Sequence, residues 1–497
     1  DILGQFDGDL AGGGHGISSH ETAPAATAYY RLAAADDPVT DALRAALSPD
    51  RVSFVAATIN NHASLESGLH GWQAPDAIAF AHSTDEVSAV LRICNAHRVP
   101  VVAYGTGTSV EGHIDCTRGG LLLDVSGMDA VLSVQEADMD ATVQAGVTRE
   151  SLNDNIRHSG LFFSVDPGAN ASIGGMVATN ASGTTTLRYG NMASNVLGLT
   201  AVLANGDVVR AGGRARKSSA GFDLTRLLIG SEGTLAVVTE VTVKLHPHPT
   251  AVSAAVCQFP SLSDAVEAAA ATTYVATPAR MELLDEVTMG CLDGYQGQSF
   301  DRAPCIFFEF HGATDAAVKA DVEALRDIVE GYGGQGFEWA TTTEDRTRLW
   351  KARHDAFWAV KAQWPGTDLL ATDVCVPISR LAEIVEATAE DIRELDVIAA
   401  PLFGHVGDGN FHLLVVYKSD DAAQVAAVRD LEHRLVTRAI EMEGTCTGEH
   451  GIGTGKVQYL EQQLGKGAVG MMRTLKRALD PEAILNPDKV VPPSSSR

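Results

Sequence analysis

Hydrophobic and polar positions give the chain two textures. From about Asp41 to Pro249, short apolar runs stand between glycine turns: Val101 to Tyr104, Leu121 to Val125, Val131 to Val134, Leu199 to Leu203 and Val237 to Leu245. Runs of this length bounded by turn residues predict strands. Asn205-Gly206 predicts a hairpin turn between two of them. The prolines of His246-Pro247-His248-Pro249 predict a break in regular structure and a domain boundary. Beyond it the pattern changes. Ala254 to Phe259 and Ile306 to Phe310 predict strands. Val318, Val322, Leu325 and Val329 recur at helical spacing within Asp315 to Glu330, and Gly331 follows as a stop. A second helix is expected over Ala422 to Glu443. Strands alternating with packed helices predict an α+β class. The first 25 or so residues, with Gly12-Gly13-Gly14, are expected to be a loosely ordered lead-in, and Pro492 to Arg497 a frayed tail.

Composition narrows the function classes. The 497 residues suggest about three folding units. Lys and Arg number 37 against 63 Asp and Glu, a formal charge of −26, which argues against nucleic-acid and anionic-membrane partners. Hydrophobic residues at 45% and charged residues at 20% exclude wholesale disorder. No apolar stretch of about 18 residues predicts a transmembrane helix, and no secretory signal is visible. The seven cysteines are odd in number, and no two lie at C-x-x-C spacing. That argues against a disulfide scaffold and a Cys-metal site, and for a reducing compartment. A cytoplasmic location is expected, peripheral to a membrane as the alternative.

The 48 glycines concentrate in informative places. Tyr104-Gly105-Thr106-Gly107-Thr108-Ser109 follows a predicted strand. Its backbone N–H groups and hydroxyls suit an anion such as a pyrophosphate; a plain glycine hairpin is the alternative. A Rossmann fingerprint would need glycine at Val110, and no Gly-Lys-Ser/Thr follows to make a Walker loop. Between Asp166 and Arg188 there is no charged residue, while Pro167-Gly168, Gly174-Gly175 and Ser182-Gly183 are interspersed with Asn170 and Asn180. Such a segment can wrap a polar cofactor with backbone amides, and a long structureless loop is rare unless functional. Gly230 to Thr234 is a third glycine turn.

The strongest constellation lies later. Gly404-His405-Val406-Gly407-Asp408-Gly409-Asn410-Phe411-His412 puts two histidines around a tight turn, and Thr447-Gly448-Glu449-His450-Gly451 supplies a carboxylate and a third imidazole. His405, His412 and Glu449 form a set suited to Zn²⁺, Mn²⁺ or Fe²⁺ with positions open to substrate oxygens. Asp408 is the rival ligand, although beside two glycines it suits the turn better. His450 remains available as a base.

Two resemblances rest on these motifs. Tyr104 to Gly112, Asp166 to Gly183 and Leu228 to Val238 together resemble the cofactor domain of the vanillyl-alcohol oxidase / p-cresol methylhydroxylase flavoproteins. His405 to His412 and Thr445 to Lys456 are similar to the FAD-linked D-2-hydroxy acid dehydrogenases of D-lactate dehydrogenase (cytochrome) type. So are Leu349 to His354, Thr372 to Pro377 and Leu485-Asn486-Pro487. The likeness covers about residues 45 to 491. It implies a two-subdomain FAD-binding domain of the p-cresol methylhydroxylase type plus an α+β substrate (cap) domain with antiparallel sheet. The division implied is a lead-in at 1–40, the FAD domain at 41–249, the cap at 250–445, and a segment at 446–497 returning to the FAD domain.

The resemblance also implies roles. Pyrophosphate would lie on Gly105 to Ser109, the flavin against Pro167, Gly168 and Gly174 to Ser182, with Gly183 closing that segment, and the adenine near Val237 and Val238. No histidine lies among Gly105 to Ser109, so non-covalent FAD is expected, with His113 keeping the alternative open. His450 would take the hydroxyl proton of a 2-hydroxy acid, Arg353 would hold its carboxylate, and flavin N5 would take the hydride. Asn486 would return to the flavin. Glu282 is read as an ordinary strand-end carboxylate, with support of the metal site as the alternative. Members acting on D-2-hydroxyglutarate carry polar groups where this chain has Ala371 and Leu414. An apolar pocket leaves a second carboxylate unpaired, which favours D-lactate or a similar monocarboxylic acid over hydroxyglutarate; a glycolate or D-2-hydroxyglutarate dehydrogenase on the same scaffold is the alternative. The expected acceptor is a cytochrome, a quinone or an electron-transfer flavoprotein, and a homo-oligomer is possible. A catalytically silent flavin subunit and a flavin-free metal protein are the competing classes.

Overall fold

The computed structural model of the chain describes residues 28–63, 71–297 and 299–492. Most of the expected N-terminal lead-in and the tail beyond Pro492 therefore lie outside the described residues. The first sheet has four strands in the order Val52–Ser53, Ala77–Phe80, Leu121–Asp124, Val101–Tyr104. The last three run parallel, with Ala77 opposite Leu121 and Val101 opposite Leu121 on the other side. The helix Thr84–His97 packs on this sheet. It starts where Ser83 accepts the Glu86 N–H and stops at Arg98 in the left-handed region (φ 58°). Val87, Val90, Leu91 and Cys94 enter the same core as Leu32, Val39 and Leu43. Part of the expected lead-in is thus packed, and a helix already begins at Pro38, capped by Asp37.

A second sheet has five antiparallel strands in the order Val131–Gln135, Asp140–Gln144, Val237–Lys244, Val196–Val202, Val208–Gly212. Asn205-Gly206 does turn the last two into a hairpin, with Leu203 N–H donating to Asp207 O at 2.9 Å. The proline-rich segment after it was expected to break regular structure. Instead His246–Pro247 pairs with Leu161–Phe162 as a two-stranded ribbon. A proline fits there because so short an edge strand needs few ladder donors.

The second half forms one antiparallel sheet of eight strands. Its order is Gln335–Ala340, Ala251–Gln258, Cys305–Gly312, Arg280–Leu284, Leu402–Gly404, Asn410–Tyr417, Asp368–Ala371, with Val374–Cys375 also on Asn410–Tyr417. Both faces are covered, which explains the near-continuous apolar runs. Leu262–Thr272, Asp315–Gly331, Leu381–Arg393 and Ala422–Glu441 share one core with the sheet, and Glu286–Leu292 and Thr343–Gln363 share another. The α+β class with an antiparallel sheet in the second half, expected from the sequence, is the one observed. The chain then returns to its beginning. Ile484 and Leu485 join the first core, Val101 N–H donates to Ile484 O at 2.8 Å, and Asn486 N–H donates to Val101 O at 2.8 Å.

Candidate functional site

One cavity of about 640 Å³ is lined by residues from both halves of the molecule. From the first half and the returning C-terminus come Tyr104 to Ser109, Pro167, Gly168, Gly174, Gly175, Ser182, Gly183, Val238 and Asn486. From the cap and the loop after it come Arg353, His405, His412, Glu449 and His450. The fold thus brings the glycine-rich segments, Arg353, His405, His412, Glu449 and His450 to one surface, while Asp408 and Glu282 do not line it.

The glycine-rich wall is held mainly by backbone and hydroxyl hydrogen bonds, with the Asp166 carboxylate at one end. Ser172 N–H donates to Thr106 Oγ1 at 3.3 Å, tying the first glycine loop to the second segment. A Cβ at Gly105 would collide with Ser172 Oγ, so only glycine permits this approach. The segment read as a wrapping loop contains short helices at Ile173–Thr179 and Thr186–Tyr189. Asp166 holds its far end, accepting the Thr185 N–H at 3.0 Å and the Thr184 hydroxyl at 2.7 Å. Among the described residues, the buried polar atoms His113 Nδ1 and Asn486 Oδ1 on this wall have no hydrogen-bond partner. Asn486 Nδ2 meanwhile donates to the carbonyls of Glu232 (2.7 Å) and His113 (3.1 Å). Buried polar atoms are usually satisfied, so this wall fits a polar cofactor of the FAD kind.

The histidine wall is built from charge. His405 and His412 sit on either side of the turn joining Leu402–Gly404 to Asn410–Tyr417, with Phe403 opposite His412 across the pair. Gly409 closes that turn at φ +79°, where its backbone abuts Val376 O. Asp408 N–H donates to His405 O at 3.0 Å. That bond places the Asp408 backbone in the turn, and the ligand-spaced group among the described residues is His405, His412 and Glu449. One ligand atom each from His405, His412 and Glu449 lie within 4.8 Å of one another. Both Nε2 atoms approach the same oxygen, Glu449 Oε1, at 3.4 Å for His405 and 3.2 Å for His412. Both Nδ1 atoms are engaged from behind, by Glu282 Oε1 at 2.7 Å and by Thr372 O at 3.0 Å. Donation from Nδ1 to a carboxylate or carbonyl is how ligating histidines are oriented. The donor set therefore fits a divalent cation.

Glu282, read from the sequence as a strand-end carboxylate with support of the metal site as the alternative, lies behind His405. It is fully buried on Arg280–Leu284 and joins the two functional groups. One oxygen meets His405; the other takes Arg353 Nε at 3.0 Å and Nη2 at 2.8 Å. Only the sheet register brings these three segments together, and no local sequence signal announces it. Burial raises the Glu282 pKa, but His405 and Arg353 outweigh it and hold the carboxyl below its usual range. Burial lowers the pKa of His405, and Glu282 and Glu449 reverse this, holding it well above the usual value. A divalent cation in the cluster opposes that protonation.

His450 stacks on His412, with ring centroids 5.0 Å apart and planes 10° apart. Its Nε2 lies 3.9 Å from Glu449 Oε1, and its Nδ1 faces Glu111 Oε1 at 3.8 Å. Glu111 is paired in turn with Lys456 Nζ at 2.9 Å, a lysine with no exposed surface. Neither of these two is marked in the sequence beyond lying beside a glycine turn. The guanidinium of Arg353 lies over the Phe403 ring at 5.2 Å. Phe357, Trp358, Ala371, Phe403 and Leu414 give the cavity wall apolar surface, to which His354 and Arg280 add polar groups.

Comparison with known proteins decides the family. Residues 248–490 match the model of the C-terminal domain of FAD linked oxidases, and residues 75–212 match an FAD binding domain. The chain belongs to the FAD-linked oxidase family. It is an FAD-dependent oxidoreductase, similar over most of its length to proteins of the D-lactate dehydrogenase type. A Danio rerio protein named "Probable D-lactate dehydrogenase, mitochondrial" is 43% identical over 462 residues, 92% of each chain. The Arabidopsis thaliana "D-lactate dehydrogenase [cytochrome], mitochondrial" is 43% identical over 420 residues, 84% of this chain and 74% of that one. Crystalline p-cresol methylhydroxylase shares the fold at a TM-score of 0.70 and 18% identity, covering 91% of this chain and 96% of the other. Among the described residues of this FAD-linked oxidase, no helix is long and apolar enough to cross a membrane. All seven cysteines are free.

Proposed function

We propose that the chain oxidises D-lactate, or a similar monocarboxylic D-2-hydroxy acid, to the 2-oxo acid. The observation that carries this reading is the convergence of His405, His412 and Glu449 beside His450, on a cavity wall that also carries Arg353 and the apolar Ala371, Phe403 and Leu414. When bound, FAD supplies a two-electron acceptor, and a divalent ion held by His405, His412 and Glu449 supplies a Lewis acid for the substrate oxygens.

The residues do the rest. Arg353 binds the substrate carboxylate. Glu282 occupies its Nε–Nη2 edge, so the carboxylate meets the Nη1–Nη2 end, oriented by the packing of the guanidinium on Phe403. His450 accepts the hydroxyl proton at Nε2, because its Nδ1 is turned toward Glu111. His450 holds the hydroxyl proton while bound FAD would accept the hydride from the α-carbon, so the two electrons and both hydrogens are accounted for and the 2-oxo acid is left. The apolar side chains exclude water and offer nothing to a second carboxylate. Of the other guanidiniums on the wall, Arg280 lies 3.3 Å from Asp166 and 3.6 Å from Glu309, and Arg149 lies 3.5 Å from Glu150. Burying an unpaired carboxylate is costly, which disfavours hydroxyglutarate. The relatives' names support a cytochrome as acceptor.

Anaerobic bleaching of the flavin tests this. D-lactate should reduce it fastest, ahead of glycolate and D-2-hydroxyglutarate, and L-lactate should leave it oxidised. A clear preference for hydroxyglutarate contradicts the pocket argument. No reduction by any 2-hydroxy acid contradicts the enzyme reading.

A further inference from the structure

The loop carrying Glu449 and His450 takes almost nothing from secondary structure. Side chains satisfy its backbone N–H groups one after another. Asp373 Oδ2 accepts from Gly448 (2.8 Å), Glu449 (2.9 Å) and His450 (2.9 Å), and also from the Thr447 hydroxyl (2.6 Å). Thr447 Oγ1 accepts from Gly451 at 2.9 Å. Glu232 then accepts from Ile452 through Oε1 (2.7 Å) and from Gly453 through Oε2 (2.8 Å). Six consecutive N–H groups thus end on three side chains.

The two carboxylates come from opposite sides of the cavity. Asp373 is fully buried beside the cap strands, and its Oδ1 also takes Asn410 Nδ2 at 2.7 Å, next to the turn between His405 and His412. Glu232 stands in the third glycine turn at φ 52°, 3.2 Å from His113, with its carbonyl held by Asn486. Charge-assisted hydrogen bonds of this kind are among the stronger ones, and a carboxylate gathering several N–H groups fixes a local backbone shape.

We propose that Asp373 and Glu232 are positioning residues, a two-carboxylate clamp that sets the shape of loop 447–453 and thereby the ion affinity of His405, His412 and Glu449. This rests on the reading of those three as an ion site. The clamp works by preorganisation. Glu449 Oε1 is held between the two imidazoles, so an ion meets a formed site and does not have to order the loop. Asp373 joins the loop to the histidine turn, and Glu232 joins it to the glycine-rich wall.

The test is calorimetric titration of chelator-stripped, FAD-containing protein with Zn²⁺ alone, well below the melting temperature, with Tm and flavin absorbance measured alongside. Asp373→Asn should weaken Zn²⁺ binding by about tenfold or more, Glu232→Gln by less, and Thr447→Val by roughly threefold, with FAD retained. A merely structural role would lower Tm and leave the affinity of the folded protein unchanged. If Asp373→Asn does not fold, the other two variants decide. Folded variants that bind Zn²⁺ as the wild type does overturn the clamp alone. A wild type that takes up no Zn²⁺ overturns the ion reading and the clamp with it.

Discussion

The glycine-rich wall and the histidine wall of the cavity differ in what holds them. The first is shaped mainly by close backbone approach and by backbone and hydroxyl hydrogen bonds, as between Gly105, Thr106 and Ser172. The second is a lattice of buried charges, Glu282 with His405 and Arg353 on one side, and Glu111 with Lys456 on the other. The first offers many weak donors to a large polar cofactor. The second concentrates charge at one point, where a proton has to move. Shape should therefore break the first wall, and the loss of a single charge the second.

His450→Ala probes the second wall most severely. Removing a positioned base should slow flavin reduction by D-lactate by about 10²- to 10⁴-fold while FAD stays bound, as stopped-flow absorbance would record. Normal reduction would move the base elsewhere. Gly105→Leu probes the first wall, since its side chain has no room beside Ser172. The protein should fold without FAD, seen as loss of visible absorbance per chain, and still take up its ion. Retention of full FAD would break the contrast. Glu282→Gln keeps the shape and removes a charge that orients His405, so ion affinity should fall by about tenfold with FAD content unchanged.

The smallest expected effect is on stability. Asp285 caps Glu286–Leu292, and its Oδ2 accepts the Leu402 N–H at 2.9 Å. Burial raises its pKa from 3.8 to about 6. Between those values the folded chain binds more protons than the unfolded one, so stability falls as pH rises through that window. Thermal melts should show the wild type losing Tm over it relative to Asp285→Asn. Parallel curves would contradict the assignment.

The same contrast explains what was legible in the sequence. The glycine-rich wall comes from contiguous segments, so Tyr104 to Ser109 and Asp166 to Gly183 stand out by composition alone. The helix Asp315–Gly331 and the Asn205-Gly206 hairpin were visible for the same local reason. His405, His412, Glu449 and His450 could be gathered because two glycine-punctuated turns carry them. Their supports could not. Glu282 lies 123 residues from His405, and Glu232 lies 220 residues from Ile452. Tertiary register alone brings such pairs together, and a single buried carboxylate has no local pattern to betray it. The ribbon at His246–Pro247 was missed because a proline motif reads as a break even where an edge strand tolerates it.

The central claim is that a divalent ion on His405, His412 and Glu449 works with His450 to let D-lactate reduce the flavin. Anaerobic stopped-flow reduction of the holoprotein, compared before and after verified metal removal and again after restoring Zn²⁺ or Mn²⁺, tests it most directly. The account predicts that D-lactate bleaches the flavin of the metal-loaded protein, that removal abolishes bleaching with FAD still bound, and that restoration recovers it. Bleaching at an undiminished rate in the metal-free protein would contradict it.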